Sequence, residues 1–278
     1  MYTADRWRFA GDAFTGFINR QQFTPGQTDV PGEPNYFFRW AVNTNPSGNM
    51  AFGQYIEDVR TLAGRTATLS LYLYASATIP ANTLQIRYRQ VTGGTGGTNN
   101  TINIGEITTS WKKFTFQLNI PSLTGATLGA SNASYLALEI LSPSTHTSAF
   151  DMFIAQVQLE EGTSATPFEH RPIGMELSSC QRYFNILSPR YMAGQYLISG
   201  EITCQFIPFP VQMRATPAVT YGSLQVRENS GSFANVSVSS NNGISEKGIN
   251  LVVSQSGAAT SDSFIIYAAN VEFNAELS

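Results

Sequence analysis

Two short stretches carry side chains of the right type and spacing to grip a saccharide. In Thr68-Leu69-Ser70-Leu71-Tyr72-Leu73-Tyr74 the residues alternate, placing Leu69, Leu71 and Leu73 on one face and Tyr72 and Tyr74 on the other. In Leu84-Gln85-Ile86-Arg87-Tyr88-Arg89 the same period sets Gln85, Arg87 and Arg89 opposite the apolar positions. Aromatic faces cover the apolar side of a sugar ring, and planar amide and guanidinium groups take its hydroxyls. If the two strands are neighbours, Tyr72, Tyr74, Gln85, Arg87 and Arg89 form one carbohydrate-binding surface for an acidic or neutral sugar. The competing reading packs the two tyrosines against a neighbouring domain or a second subunit. Trp40 and Trp111 are further aromatic candidates, with the core as the competing place for each.

Turnover chemistry finds less support. The two histidines, His146 and His170, lie far apart, and neither has a partner at metal-ligand spacing. His146 sits in a Ser/Thr loop and His170 in a linker, where local hydrogen bonding is the expected role. No G-x-S-x-G elbow and no G-x-x-x-x-G-K-[ST] phosphate loop occurs. A glycosidase needs two carboxylates set across a cleft. Glu57-Asp58, Asp151, Glu160-Glu161 and Glu169 are present, but spacing does not pair them. No catalytic residue is expected. Cys180 and Cys204 stand outside any CxxC motif and read as packed, reduced thiols.

The composition agrees with recognition by neutral groups. Charged residues are 13% of the 278, about half the usual share, while hydrophobic residues are an ordinary 42%. Surface polarity therefore falls to Ser, Thr, Asn, Gln and Gly, which suits hydroxyl-rich ligands. The net charge of −3 gives no nucleic-acid footprint. No apolar run approaches the length of a membrane helix, so no membrane insertion is expected. The opening Met1-Tyr2-Thr3-Ala4-Asp5-Arg6-Trp7 has no apolar signal core, so assembly in a cytoplasm and release by lysis is the expected route. Three N-x-[ST] sequons, at Asn99, Asn132 and Asn235, are what so many Asn, Ser and Thr residues produce by chance.

The elements that must position these side chains are strands. Lys113–Leu118, Tyr135–Ile140 and Phe150–Leu159 continue the alternation, and turn clusters separate them at Asn43–Asn49 and at Gly93–Asn100. The Gly93–Gly97 tract is expected to be a mobile hairpin tip. Many short strands at regular spacing argue a sandwich. The best helical stretch is Gly174 to Phe184, with Met175, Leu177 and Cys180 approximating one face. Before it, Glu161 to Pro172 reads as a linker, with a boundary near Thr166. Beyond it β pattern returns over Gln195–Phe209, Val219–Val226, Ser232–Ser239, Ile249–Ser254 and Ser263–Phe273. The expected fold is all-β: two antiparallel β-sandwich domains, residues 1–165 and 166–278, joined by a short linker and a short helix.

Three segments carry a resemblance. Ala155-Gln156-Val157-Gln158-Leu159-Glu160-Glu161-Gly162 followed by Ala165-Thr166-Pro167-Phe168-Glu169-His170-Arg171-Pro172 is similar to a junction in bacteriophage tail fibre proteins. Cys180-Gln181-Arg182-Tyr183-Phe184 follows it there too, and Phe209-Pro210-Val211-Gln212-Met213-Arg214-Ala215-Thr216-Pro217 is a third match. Ala4–Trp7 and Leu62–Tyr74 resemble the jelly-roll half of such proteins. The resemblance implies a carbohydrate-binding-module-like jelly roll and then a smaller C-terminal β-domain for oligomerisation and receptor binding, usually a homotrimer. It implies a non-enzymatic virion protein of a tail fibre or other surface appendage, with bacterial surface polysaccharide and other virion proteins as partners. A long N-terminal virion anchor of some relatives is not visible, so a tip fragment or a separate small fibre or decoration subunit is expected. Three copies on one axis raise the avidity of weak sugar sites. In jelly-roll modules a carboxylate at the place of Asp151 helps hold a structural calcium, against the plainer reading of a strand-end Asp; no other cofactor is expected. The alternatives are a purely structural virion protein and, behind it, a polysaccharide depolymerase, for which the chain is short beside the long parallel β-helix of tailspikes.

Overall fold

The computed structural model describes the chain apart from residues 1–6, 12–14, 45–48, 130–132, 144–148, 188–189, 197–200, 205, 229–232, 240–242, 255–263 and 277–278. His146 and Asn132 lie outside the described residues. The protein is all-β, with antiparallel pairing throughout and a single helix among the described residues. It divides into two compact units, residues 1–170 and 171–276. No described helix is long and apolar enough to cross a membrane.

The first unit holds β1 (Trp7–Gly11), β2 (Thr15–Gln22), β3 (Tyr36–Thr44), β4 (Met50–Glu57), β5 (Thr66–Ala75), β6 (Gln85–Val91), β7 (Thr98–Asn103), β8 (Lys112–Asn119), β9 (Tyr135–Ser142) and β10 (Phe150–Glu161). They form two five-stranded sheets, ordered β1-β4-β9-β6-β7 and β2-β3-β10-β5-β8. Alternation decides which residues go between them. Leu69, Leu71 and Leu73 from β5 meet Ile86 from β6 and Leu138 and Ile140 from β9 in one core, with Trp40 and Phe52 fully enclosed. Burial of side chains of that size stabilises the sandwich by roughly 1.5–3 kcal/mol apiece.

Two features of this unit follow from backbone chemistry rather than pattern. On β10 the register slips between Ala155 and Gln158, and Gln156 takes a positive φ of 47°. A β-bulge of this kind adds twist and re-aims side chains, and the Gln156 amide donates to the Pro31 carbonyl at 2.6 Å. The Gly93–Gly97 tract is docked rather than a free tip. Thr95 and Thr127 exchange backbone hydrogen bonds of 3.1 Å, and the Gly129 N–H donates to the Thr92 carbonyl at 2.9 Å. A Cβ on Gly94 would collide with the Thr127 carbonyl oxygen, so the glycines permit close backbone approach.

The second unit opens with α1 (Ile173–Gln181). Its strands are β11 (Phe184–Leu187), β12 (Arg190–Tyr196), β13 (Glu201–Cys204), β14 (Ile207–Pro208), β15 (Ala218–Tyr221), β16 (Leu224–Glu228), β17 (Ala234–Asn235), β18 (Ser237–Val238), β19 (Gly243–Ser245), β20 (Gly248–Asn250), β21 (Val252–Ser254), β22 (Phe264–Ala268) and β23 (Val271–Asn274). The largest of its sheets runs β17-β16-β22-β12-β13-β21-β18. A second core of Ile202, Leu224, Val226, Val253, Phe264, Ile266 and Phe273 holds it. The extended segment expected over Gln195–Phe209 is broken, because β12 and β13 pair with each other, Tyr196 opposite Ile202. The apolar face expected on the helix is not formed. Met175 and Leu177 lie about half a turn apart, and both are exposed.

Candidate functional site

The side chains singled out from the sequence fall on opposite outer faces of the sandwich. Tyr72 and Tyr74 leave β5 on the outside of the second sheet. Gln85, Arg87 and Arg89 leave β6 on the outside of the first. The condition for one joint surface, that β5 and β6 be neighbours, is not met, because each strand's leucine or isoleucine face turns into the core they share. There are thus two faces, each with its own chemistry.

The outside of the second sheet is aromatic. Phe153 on β10 stands opposite Tyr74 in register, and their rings stack at 4.7 Å and 24°. Trp111, just before β8, lies 5.6 Å from Tyr74 and 5.6 Å from Phe37 on β3. Phe23, beyond β2, closes the group at 4.6 Å from Phe37 and 5.4 Å from Trp111. Phe23 and Val30 are buried, so the segment after β2 roofs one end, with Ala155 and Tyr72 packed beneath it. Phe37, Tyr74, Trp111 and Phe153 remain half-buried. Such rings are fixed in place yet keep an edge or face toward solvent, which is what a sugar ring packs against.

Polar groups flank the aromatics. Arg39 neighbours Phe153 in register and donates to Asp151 Oδ2 from Nη2 at 2.6 Å and from Nε at 3.1 Å. Its guanidinium also lies 5.0 Å from the Phe17 ring. Lys113 stands opposite Tyr72. Asp151 is therefore held by a cation, which works against a calcium ion at the same carboxylate. Among the described residues no group of three or more His, Cys, Asp or Glu is placed to hold a metal.

The outside of the first sheet is ionic. Glu139 sits on the central strand β9 with its side chain only 2% exposed. Arg87 donates from Nε to its Oε2 at 2.7 Å, and Arg89 donates from Nε to Oε2 at 3.0 Å and from Nη2 to Oε1 at 3.1 Å. Burial alone would raise the Glu139 pKa, but hydrogen bonds from Arg89 and Arg87 outweigh it and hold the carboxyl below the usual glutamate range. Burial and the Glu139 charge push the Tyr55 phenol up. Tyr55 stacks on Tyr135 at 4.5 Å, and the Arg8 guanidinium lies 5.1 Å from the Tyr55 ring. Gly53 stands opposite Glu139, where a Cβ would strike the β9 backbone.

Sequence reasoning did not mark Phe37, Phe153, Arg39 or Glu139. Glu139 had a signal, an acid inside the apolar run Tyr135–Leu141, since a charge there demands a cation. Phe37 and Phe153 had none, because an alternating aromatic strand reads alike whichever face is buried. Trp40 is in the core and Trp111 is on the outer face. Asp58, Asp151, Glu160 and Glu161 are engaged by Arg60, Arg39, Thr166 and Arg65. A cleft of about 220 Å³ at the end of the sandwich, near Trp7, Arg20, Tyr36, Gln156 and Phe168, has no acid or histidine in its lining. His170 is exposed, its ring 5.2 Å from Phe168.

The first unit is thus an antiparallel β-sandwich with a fixed aromatic face on the outside of its second sheet. Among solved structures the chain is similar to a family 11 carbohydrate-binding module of a cellulosomal cellulase of Clostridium thermocellum, at 11% identity and a TM-score of 0.37 over 58% of this chain and 91% of that one. A family 30 carbohydrate-binding module matches at 12% identity and a TM-score of 0.35, covering 61% of this chain and 84% of that one. A cyclase from Fischerella sp. TAU matches at 16% and 0.36, covering 59% and 88%. No family model matches the chain, and no curated protein matches it.

Proposed function

We propose that the chain binds bacterial surface polysaccharide, without turnover, as part of a virion fibre or related surface appendage assembled in the host cytoplasm. The observation that carries the binding is the aromatic face of the second sheet. Tyr74, Phe153, Trp111 and Phe37 contact one another, stay half-buried, and have Arg39 and Lys113 beside them. The junction at 155–172 and the segments at 180–184 and 209–217 support the fibre context through their likeness to tail fibre proteins. A homotrimer fits the second unit, where Ile173, Met175, Leu177 and Tyr191 are exposed by 87%, 61%, 56% and 68%. Other virion proteins would then hold the assembly.

The test is a glycan array of capsule and lipopolysaccharide fragments, followed by titration of the best ligand. Trp111→Ala is expected to weaken binding about tenfold or more, as loss of a central aromatic anchor does, with the fold intact by circular dichroism. An intact chain that binds no fragment would favour a purely structural virion role. Release of shortened sugar would favour a depolymerase.

A further inference from the structure

We propose that the outside of the first sheet is a separate site for an oxyanion carried on a saccharide, gripped by Arg87 and Arg89 and held ready by Glu139. This site lies on the sheet opposite to the aromatic face and does not rest on that reading.

The argument starts from the burial of Glu139. A carboxylate on an outward-facing strand position is normally wet, yet this one is 2% exposed because two guanidinium groups close over it. Two arginines for one acid leave the cluster positively charged. Arg87 uses only Nε on Glu139, so among the described residues both of its Nη groups lack an acceptor. Arg89 uses Nε and Nη2, which leaves its Nη1. The two side chains are 18% and 25% exposed, so their stems are fixed while the outer edges meet solvent.

A guanidinium anchored through Nε presents its far edge as a planar fork, which matches carboxylate, sulfate or phosphate with two parallel hydrogen bonds. Because Glu139 has already ordered both arginines, little side-chain entropy is lost when the anion arrives. Gly53 and Ala137 place small residues beside Glu139, Tyr55 and Arg89 on this face. The flanks distinguish a ligand with hydroxyls from a bare ion on one side only. The half-buried Gln85 and the exposed Asn103, whose amides meet at 2.9 Å, lie one step along the face. The stacked Tyr55 and Tyr135, 5% and 7% exposed, form a closed wall at the other end. The chain's net charge of −3 disfavours a nucleic acid as the source of the anion.

The experiment uses the intact chain with labelled arginine and follows the Arg87 and Arg89 Nε–H resonances. A glucuronate-bearing oligosaccharide, a sulfated one, a phosphorylated one, their neutral parent and inorganic sulfate are titrated separately. At least one acidic sugar is expected to move both resonances, while the neutral parent moves neither, and raised salt weakens the effect. Arg87→Lys keeps the charge but loses the fork, and is expected to weaken acidic-sugar binding about tenfold with the fold intact by circular dichroism. The proposal is overturned if no acidic sugar moves the resonances, or if Arg87→Lys binds as tightly as the parent. It is likewise overturned if inorganic sulfate binds as well as the acidic sugars, which would make this an adventitious ion site only. Because the titration of the unmodified chain stands alone, a variant that fails to fold leaves the test intact.

Discussion

At the scale of single residues, Glu139 links stability to pH. Its folded pKa lies below the ordinary glutamate value, because the hydrogen bonds of Arg89 and Arg87 outweigh burial. A group with a depressed folded pKa contributes stability that is fully present above its unfolded pKa. That contribution is lost as pH falls through the folded value. The folding free energy from urea titrations should therefore drop on acidification through and below the normal glutamate range. Glu139→Gln should flatten that part of the profile and cost roughly 1–3 kcal/mol at neutral pH, less than a fully enclosed pair because both arginines keep contact with water. An identical pH slope in the variant would show that Glu139 is not the group responsible. The sequence showed the acid within an apolar strand. It did not show Arg87 and Arg89 as its partners, because the β6–β9 pairing joins residues about fifty positions apart.

At the scale of elements, α1 is the anomaly. It has no buried residue, and its N-cap Pro172 offers no side-chain hydrogen bond. Helices this short are marginal in water without tertiary support. Ile173, Met175 and Leu177 are exposed on both sides of it, which fits coverage by copies of the chain. The triple variant Ile173→Ser, Met175→Ser, Leu177→Ser should lower the molar mass seen by light scattering toward that of a single chain, with the strand signal preserved. An unchanged mass, or a parent chain that is already single, would remove α1 from the proposed oligomer contact. Strands were the easier elements to read. β5, β6, β8, β9 and β10 fall where alternation put them, within a residue or two at each end. The segment from Gln195 to Phe209 was harder, since the unbroken apolar run Tyr196-Leu197-Ile198 carries no signal of a chain reversal, although β12 and β13 pair with each other.

At the scale of the molecule, two units with separate cores should unfold as two cooperative events. All three tryptophans, Trp7, Trp40 and Trp111, lie in the first unit, so tryptophan fluorescence should follow only one of the transitions seen by calorimetry. Leu71→Ala removes a fully buried side chain from the first core and should destabilise that transition alone, by roughly 2–5 kcal/mol. A single transition shifted as a whole would show that the units melt as one.

The amino-acid sequence determined the strand-rich class, the residues that turn inward on β5 and β6 and the scarcity of charge, because period-two alternation and composition are local properties. It also marked Tyr72, Tyr74, Gln85, Arg87 and Arg89 as outward-facing. Only the tertiary structure decided that β5 and β6 belong to different sheets, so that aromatic and cationic side chains face away from each other. It alone gathered Trp111, Phe37 and Phe153 around Tyr74 and set Glu139 between two arginines. The reason is physical: alternation says that a side chain leaves the core, while the order of strands in a sheet, set by pairing between distant segments, says which neighbours it meets there.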